Sequence, residues 1–265
     1  MRMMIAAALA ATILSGCNDA EPAESETAAA YRPQQYTVAI NDIARPEADR
    51  EADADRKPGE LLAFAQIDRG ETVGDYIMGG GYVTRLLAMA VGANGKVYAF
   101  QPEEFIRFRP EYATEQDDAV APYGDAEGNP DRVIPLRASI SNPGFPAGQL
   151  DTIITIMNFH DLYIPEMPEG TADAAIAALR DALKPGGKLV VVDHSAVEGS
   201  GTRTTGELHR IDRKTVVDAL TAAGFELEEE SQLYARPDDP RDANVFDDAI
   251  RGRTDQFALR FVKPA

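Results

Sequence analysis

Two kinds of hydrophobic pattern alternate along the chain from residue 56 onward. Residues 152–157 (TIITIM) and 188–192 are near-continuous apolar runs, which are typical of parallel strands covered on both faces. Between such runs, Ala, Ile and Leu recur with helical spacing, as over residues 82–91 and 171–183. This alternation predicts an α/β doubly wound, mostly parallel sheet with helices on both faces.

The predicted sheet has seven strands. They are residues 72–78, 96–100, 133–136, 152–157, 188–192, 225–233 and 257–262, and we expect the last two to be adjacent. Helices are predicted over residues 58–67, 82–91, 105–112, 171–183 and 213–223. Ligands bind such sheets beyond the carboxyl ends of the strands. The residues that follow Met78, Phe100, Met157 and Val192 are therefore the first candidates for a site.

The first seventeen residues have the pattern of a bacterial lipoprotein signal peptide. Residues 3–14 form an apolar stretch that is too short to span a bilayer, and Arg2 adds positive charge before it. The stretch ends in Leu14-Ser15-Gly16-Cys17, which looks like a lipobox, where the cysteine is acylated and becomes the mature N-terminus. The alternative is a plain secretory signal with a chance cysteine. We therefore expect a periplasmic or cell-envelope lipoprotein that touches the membrane only through a lipid anchor on Cys17.

Residues 18–55 separate this signal from the predicted domain at 56–265. They are rich in Ala, Glu, Asp and Pro and have hardly any apolar periodicity. Such a composition cannot bury enough surface to offset the entropy of ordering, which predicts a flexible acidic tether. The short run 35–40 is the one part with a composition suited to docking on the domain.

Charge and cysteine content exclude several classes of function. The formal net charge is −18, which argues against a nucleic-acid partner, because phosphate binding needs basic side chains. Cys17 is the single cysteine, so the domain has no disulfide, no thiolate nucleophile and no cysteine metal site. We predict no metal site of any kind, and the three histidines remain as candidate bases.

A glycine-rich turn follows the first predicted strand. It reads Asp75-Tyr76-Ile77-Met78-Gly79-Gly80-Gly81, and glycines let a backbone approach a ligand where a side chain would collide. The segment resembles motif I of class I S-adenosylmethionine (SAM) methyltransferases, D-x-G-x-G-x-G, except that Ile77 replaces the first glycine. The resemblance implies a Rossmann-like fold with SAM as cofactor. It also implies that Asp75 lies near the methionyl amine, while the backbone of Gly79, Gly80 and Gly81 approaches the ribose and carboxypropyl portion.

Two further segments extend this resemblance over roughly residues 56–263. Leu183-Lys184-Pro185-Gly186-Gly187-Lys188-Leu189 resembles the L-K-P-G-G-x-L entry to the fifth strand of many such enzymes, although proline and glycine also force a turn for structural reasons alone. At the end of the second strand, Gln101 stands where the family usually has an acidic residue that holds the ribose hydroxyls. The segments 79–82, 208–212 and 250–257 look like a bacterial family of predicted, often exported, methyltransferases of undefined substrate.

Polar residues after the fourth and fifth strands are the candidates for catalysis. Asn158 and His160 follow the TIITIM strand, where methyltransferases have cofactor-facing or substrate-facing groups, and imidazole can take up a proton near pH 7. His194 has a similar position after the fifth strand, with Asp193 to orient it, whereas His209 is expected to brace Asp212 at a helix start. A role for His160 in shaping the pocket is the alternative to catalysis.

Three functions remain open at this point. The first is a SAM-dependent methyltransferase that acts on a small-molecule acceptor, with most of its rate coming from alignment of the reactants. The second is a binding or structural lipoprotein that keeps the fold without catalysis, which Ile77 and Gln101 make conceivable. The third is a nicotinamide-dependent oxidoreductase, which ranks last because the turn reads Gly79-x-Gly81-x-x-Thr84 rather than G-x-G-x-x-G.

Overall fold

A seven-stranded sheet lies at the centre of the chain in a computed structural model that describes residues 31–124 and 132–265. The sheet order is β3-β2-β1-β4-β5-β7-β6. The strands are β1 (Thr72–Tyr76), β2 (Lys96–Pro102), β3 (Val133–Ala138), β4 (Leu150–Ile156), β5 (Leu183–His194), β6 (Glu226–Ser231) and β7 (Gln256–Val262). Strands β1 to β5 are parallel, and β7 runs antiparallel between β5 and β6. The predicted sheet and its adjacent last two strands are thereby confirmed.

Helices cover both faces of this sheet. They are α1 (Thr37–Ile40), α2 (Glu47–Arg56), α3 (Pro58–Ala65), α4 (Tyr82–Ala90), α5 (Glu103–Phe108), α6 (Glu111–Gly124), α7 (Thr171–Ala182), α8 (Thr205–Leu208) and α9 (Arg213–Ala222). Two short 3₁₀ turns span Pro33–Tyr36 and Phe159–Tyr163. Apolar residues of α3, α4 and α6 form one core with the sheet, and those of α7 and α9 form a second core on its other face.

The helical region after β2 differs from the prediction. One helix over residues 105–112 was expected, but α5 ends at Phe108 and α6 begins at Glu111 and continues to Gly124. Arg109 between them is extended, with φ −138° and ψ 97°. Proline disfavours helical backbone in the residue before it, so Pro110 accounts for the break.

Residues 31–55 also differ from the predicted tether. They form a 3₁₀ turn and the helices α1 and α2, and Tyr36 and Ala39 are buried in the core shared with α3 and α4. Two charged residues of this segment, Arg45 and Asp49, are buried, and each has an ion-pair partner. Arg45 is fully buried and donates to Asp53, with N···O distances of 2.6 and 2.9 Å. Composition alone missed this because hydropathy does not register charges that are neutralised in pairs.

The targeting prediction concerns a part of the chain that the structure does not describe. The expected signal peptide 1–17, its Cys17 and residues 18–30 lie outside the described residues. In the ranges that are described, no helix combines the length and the apolar character needed to cross a membrane.

Candidate active site at the carboxyl ends of the strands

Two cavities adjoin at the carboxyl ends of β1 and β4. The smaller, of about 340 Å³, lies at the glycine turn, and the larger, of about 1260 Å³, contains all three histidines in its wall. The residues that line both cavities are Ala52, Arg56, Tyr82, Val83, Ile156, Met157 and Asn158. Both cavities therefore lie at the edge of the sheet where ligands are expected to bind.

The glycines of the turn between β1 and α4 divide into two kinds. Gly79 and Gly80 line the smaller cavity, and a Cβ on Gly79 would have no heavy atom within 4 Å. Gly81 has φ +82°, and a Cβ there would lie 2.4 Å from the Cβ of Ala119 in α6. A side chain on Gly81 would therefore collide with the protein itself, and the approach of the Gly81 backbone to a cofactor stays a prediction.

Ile77 has a backbone conformation for which a glycine is suited. Its φ is +66°, in the left-handed region that is unfavourable for a β-branched residue. The side chain of Asn158 fixes this conformation, since its Nδ2 donates to the Ile77 carbonyl at 3.0 Å and to the Ile156 carbonyl at 2.7 Å. Asn158 therefore joins the ends of β1 and β4, and it also lines both cavities.

Asp75 lies in the wall of the smaller cavity and is almost fully buried. Its carboxylate accepts a hydrogen bond of 2.5 Å from the Thr84 hydroxyl in α4. Burial is the main influence on this group and raises the pKa of Asp75 to about 7, although Thr84 opposes the shift. A cation bound in the cavity would stabilise the charged carboxylate.

Gln101 lies at the carboxyl end of β2, as predicted, and is completely buried. Its side-chain oxygen and nitrogen have no hydrogen-bond partner within the described residues. An unsatisfied buried polar group costs about 1–3 kcal/mol, so this amide is suited to a ligand that both donates and accepts. Gln101 is not among the residues that line the two cavities, and its contact with a ribose stays a prediction.

His160 is held from one side by Asp193 at the end of β5. The His160 backbone N–H donates to Asp193 Oδ2 at 2.7 Å, and the ring Nδ1 lies 2.9 Å from Oδ1. Burial disfavours the charged ring, but Asp193 outweighs it, with help from Asp161, and raises the pKa of His160 to about 9. Burial likewise opposes the charge on Asp193, and the His160 ring outweighs it, so the pKa of that carboxyl is lowered. At neutral pH the ring of His160 is therefore protonated.

His194 differs from His160 in its charge. Its Nδ1 lies 2.8 Å from the Thr254 hydroxyl, and burial lowers its pKa to about 4, so it is neutral at pH 7. Both rings line the larger cavity, with centroids 6.4 Å apart. The two predicted catalytic histidines are therefore together, but they have opposite protonation.

Two residues that sequence reasoning did not select complete this group. His209 was expected to brace Asp212, but its Nδ1 lies 3.3 Å from His160 Nε2, and its ring packs edge-on against Phe246. Asp161 Oδ1 lies 3.5 Å from the same His160 nitrogen. Adjacency to His160 was a signal for Asp161, whereas nothing local indicated His209, which lies 49 residues away along the chain.

Comparison with solved structures identifies the fold. No profile of a known protein family matches the chain, and no curated protein sequence does. A SAM-dependent methyltransferase from Aquifex aeolicus superposes with a TM-score of 0.56 at 19% identity, over 88% of this chain and 99% of that one. The [4+2]-cyclase SpnF gives 0.56 at 20% identity, over 80% of this chain and 81% of its own. An arsenic(III) SAM methyltransferase from Chlamydomonas reinhardtii gives a TM-score of 0.54 at 15% identity, over 87% of this chain and 73% of that one.

These likenesses show that the chain has the class I methyltransferase fold, as the sequence predicts. They also show that this fold serves more than one reaction, because one of the neighbours is named for a cyclisation. The reaction has to be argued from the residues of the site.

Proposed function

We propose that this chain is a SAM-dependent methyltransferase that acts on a small molecule. The observation that carries the proposal is the pair of adjoining cavities. The smaller lies against the glycine turn that resembles motif I, and the larger shares Met157 and Asn158 with it. A donor and an acceptor bound in these cavities would meet where the two spaces share their lining, which is the proximity that methyl transfer needs.

The residues of the smaller cavity fit the chemical groups of SAM. Asp75 offers a buried carboxylate for the methionyl amine. Gly79 has open space where a side chain would be, so a ligand can approach its backbone closely. Outside the cavity lining, at the end of β2, the buried amide of Gln101 has no hydrogen-bond partner within the described residues, and it matches a hydroxyl, which both donates and accepts. When bound, SAM supplies a methyl group already activated by a sulfonium, so the protein needs no covalent catalyst.

The residues of the larger cavity would hold the acceptor. The ring of His160 is fixed through Nδ1 by Asp193, and its Nε2 lies on the cavity side with His209 and Asp161. With a pKa of about 9, this ring carries a proton at pH 7, so it serves as a general base only at higher pH or after losing that proton. In its charged form, it would instead donate a hydrogen bond to the acceptor and orient it.

A substitution separates an acceptor role of His160 from a cofactor role. If His160 acts on the acceptor, His160→Ala should lower turnover roughly a hundredfold or more while SAM affinity barely changes. A fall in SAM affinity with turnover unchanged at saturation would make it a cofactor residue. If neither changes with a true acceptor, His194 is the next histidine to test.

The second candidate function is an exported protein that keeps the fold and has lost catalysis. It is favoured by the departures from the family pattern at Ile77 and Gln101. Equilibrium binding of SAM, of its demethylated product and of NAD to the purified full chain tests both candidates. We expect SAM and its product to bind and NAD not to bind. Absence of SAM binding would leave the non-catalytic candidate, and tight NAD binding would favour an oxidoreductase.

We further propose that Cys17 is lipidated and that the chain is a lipoprotein of a bacterial cell envelope. The support is the sequence Leu14-Ser15-Gly16-Cys17 after an apolar segment. Cys17→Ser should release the protein from membrane fractions. Unchanged fractionation, with no acyl mass on the N-terminal peptide, would contradict the proposal.

A further inference from the structure

Three side chains in the wall of the larger cavity bring possible metal-binding atoms close together. They are His160 and Asp161, from the 3₁₀ turn after β4, and His209, from the loop after α8. One ligand atom from each lies within 4.8 Å of the other two. Two of them are imidazoles and one is a carboxylate, which is a set that binds zinc and similar transition metals.

The spacing of these atoms fits ligands of a common ion better than hydrogen bonds. His160 Nε2 lies 3.3 Å from His209 Nδ1 and 3.5 Å from Asp161 Oδ1. Two atoms that each lie about 2.1 Å from one tetrahedral ion are about 3.4 Å apart. A hydrogen bond between the same atoms would favour about 2.9 Å. Both distances therefore match the edge of a coordination polyhedron.

Asp193 prepares His160 for this role. It accepts at the Nδ1 side of the ring at 2.9 Å, which keeps a proton on Nδ1, so a metal ion would bind at Nε2, in place of the second ring proton, on the side of His209 and Asp161. Metal-bound histidines usually donate their second ring N–H to such a carboxylate. Asp193 is completely buried at the end of β5, so the ring orientation is fixed by the sheet.

The local charge also suits a cation. Asp161 and Asp193 bring two carboxylates to a site whose histidine ligands are neutral when they bind a metal. A divalent ion would balance both carboxylates.

We propose that His160, Asp161 and His209 form a binding site for a divalent transition-metal ion of the zinc class, open to the larger cavity. The three protein ligands leave a coordination position for water or for a small molecule, as in zinc sites that take part in reactions. The site stands on its own donor geometry and does not depend on methyl transfer. It differs from the sequence prediction, which found no metal ligands because two of these residues are far apart along the chain.

The test uses the purified full chain, stripped of metal with a chelator. Zn²⁺ is titrated in competition with a chromophoric chelator, and Co²⁺ is added separately so that its visible absorption reports the ligand geometry. We expect one equivalent of Zn²⁺ to bind and Co²⁺ to give the absorption of a four-coordinate site. His209→Ala and Asp161→Asn should each weaken Zn²⁺ binding more than about tenfold, and Asp193→Asn should weaken it about 10–100-fold through the orientation of His160.

His194→Ala is the matched control, because His194 is the one histidine of the chain that is not a proposed ligand. It lines the same cavity, and its Nδ1 lies beside the Thr254 hydroxyl. It should keep the wild-type affinity for Zn²⁺. The proposal is overturned if the wild-type chain binds neither ion, if His209→Ala binds Zn²⁺ as tightly as wild type, or if His194→Ala loses binding as fully as His209→Ala. SAM binding by the same His209→Ala protein serves as the folding check, and its retention separates the metal site from the proposed cofactor site.

Discussion

At the scale of single residues, Ile77 combines a buried apolar side chain with a left-handed backbone. The left-handed φ of +66° is the conformation for which a glycine is suited, and the buried Ile77 side chain packs in the core with Tyr76 and Phe100. Left-handed backbone costs an L-residue about 1–2 kcal/mol. The favourable packing of the side chain therefore offsets a strained backbone.

This balance predicts that glycine and alanine variants at residue 77 have the reverse of their usual order of stability. Ile77→Ala and Ile77→Gly both remove the buried side chain, but only glycine relieves the left-handed strain. Ile77→Gly should be the more stable of the two by about 1 kcal/mol, whereas at an ordinary position alanine is the more stable. Urea unfolding midpoints of the two variants measure the difference. If Ile77→Ala proves the more stable, the backbone at this position is not left-handed.

Asp75 should make the stability of the protein depend on pH. Its pKa is raised from 3.8 to about 7 in the folded chain, so folding favours the protonated form. The stabilisation is fully present below about pH 4 and is lost as pH rises through 7. From pH 5 to pH 8, wild type should lose about 2–3 kcal/mol of unfolding free energy more than Asp75→Asn, whose amide does not titrate. Parallel pH dependences of the two proteins in denaturant unfolding would show that Asp75 is not the source.

At the scale of elements, the turn between β1 and α4 separates glycines that support the fold from glycines that leave room for a ligand. Gly81→Val should destabilise the chain by about 2–4 kcal/mol, because it adds a left-handed β-branched residue and a collision with Ala119. Gly79 has φ +53°, but a Cβ there would have no heavy atom within 4 Å. Gly79→Ala should therefore lower the free energy of unfolding by only about 1 kcal/mol. Thermal unfolding of both variants measures these costs.

SAM binding by the same two variants completes the comparison. Gly79→Ala should lower SAM affinity about tenfold, a loss of about 1.4 kcal/mol, while the protein remains folded. Gly81→Val should lose binding only to the extent that it unfolds. Wild-type SAM affinity in a folded Gly79→Ala protein would mean that the cofactor does not approach this turn.

The elements also show which parts of the molecule local sequence can predict. Residues 152–156 and the run after Gly187 are strands in the structure, because short apolar runs bounded by turn residues suit strands that are covered on both faces of a sheet. The same method failed for α2, whose buried residue is the charged Asp49, paired with Arg85. It also failed for His209, because its contact with His160 arises from long-range packing of the loop after α8 against the sheet.

At the scale of the whole molecule, the N-terminal helices form part of the wall of the proposed cofactor cavity. Ala48, Asp49, Ala52 and Arg56 of α2 all line the smaller cavity. Asp49 accepts from the buried Arg85 guanidinium in α4 at 2.7 and 2.9 Å, which ties α2 to the helix that follows the glycine turn. Removing one partner of a buried ion pair typically costs about 3–5 kcal/mol, because the other charge is left without compensation.

Two truncated chains therefore should differ sharply. The compact unit begins at Tyr31. A chain of residues 31–265 should therefore have the same stability and the same SAM affinity as the full chain. A chain that begins at residue 57 lacks α2, leaves Arg85 without its ion-pair partner and opens the smaller cavity, so it should be less stable and should lose SAM binding.

Because this truncation could lose binding simply by unfolding, Ala52→Phe in the full chain supplies a second measurement. Ala52 lines both cavities, and the larger side chain should weaken SAM binding while the Asp49–Arg85 pair keeps α2 in contact with α4. Calorimetric titration with SAM compares the full chain, the two truncated chains and Ala52→Phe. Full affinity in both the chain that begins at residue 57 and Ala52→Phe would exclude α2 from the cofactor site.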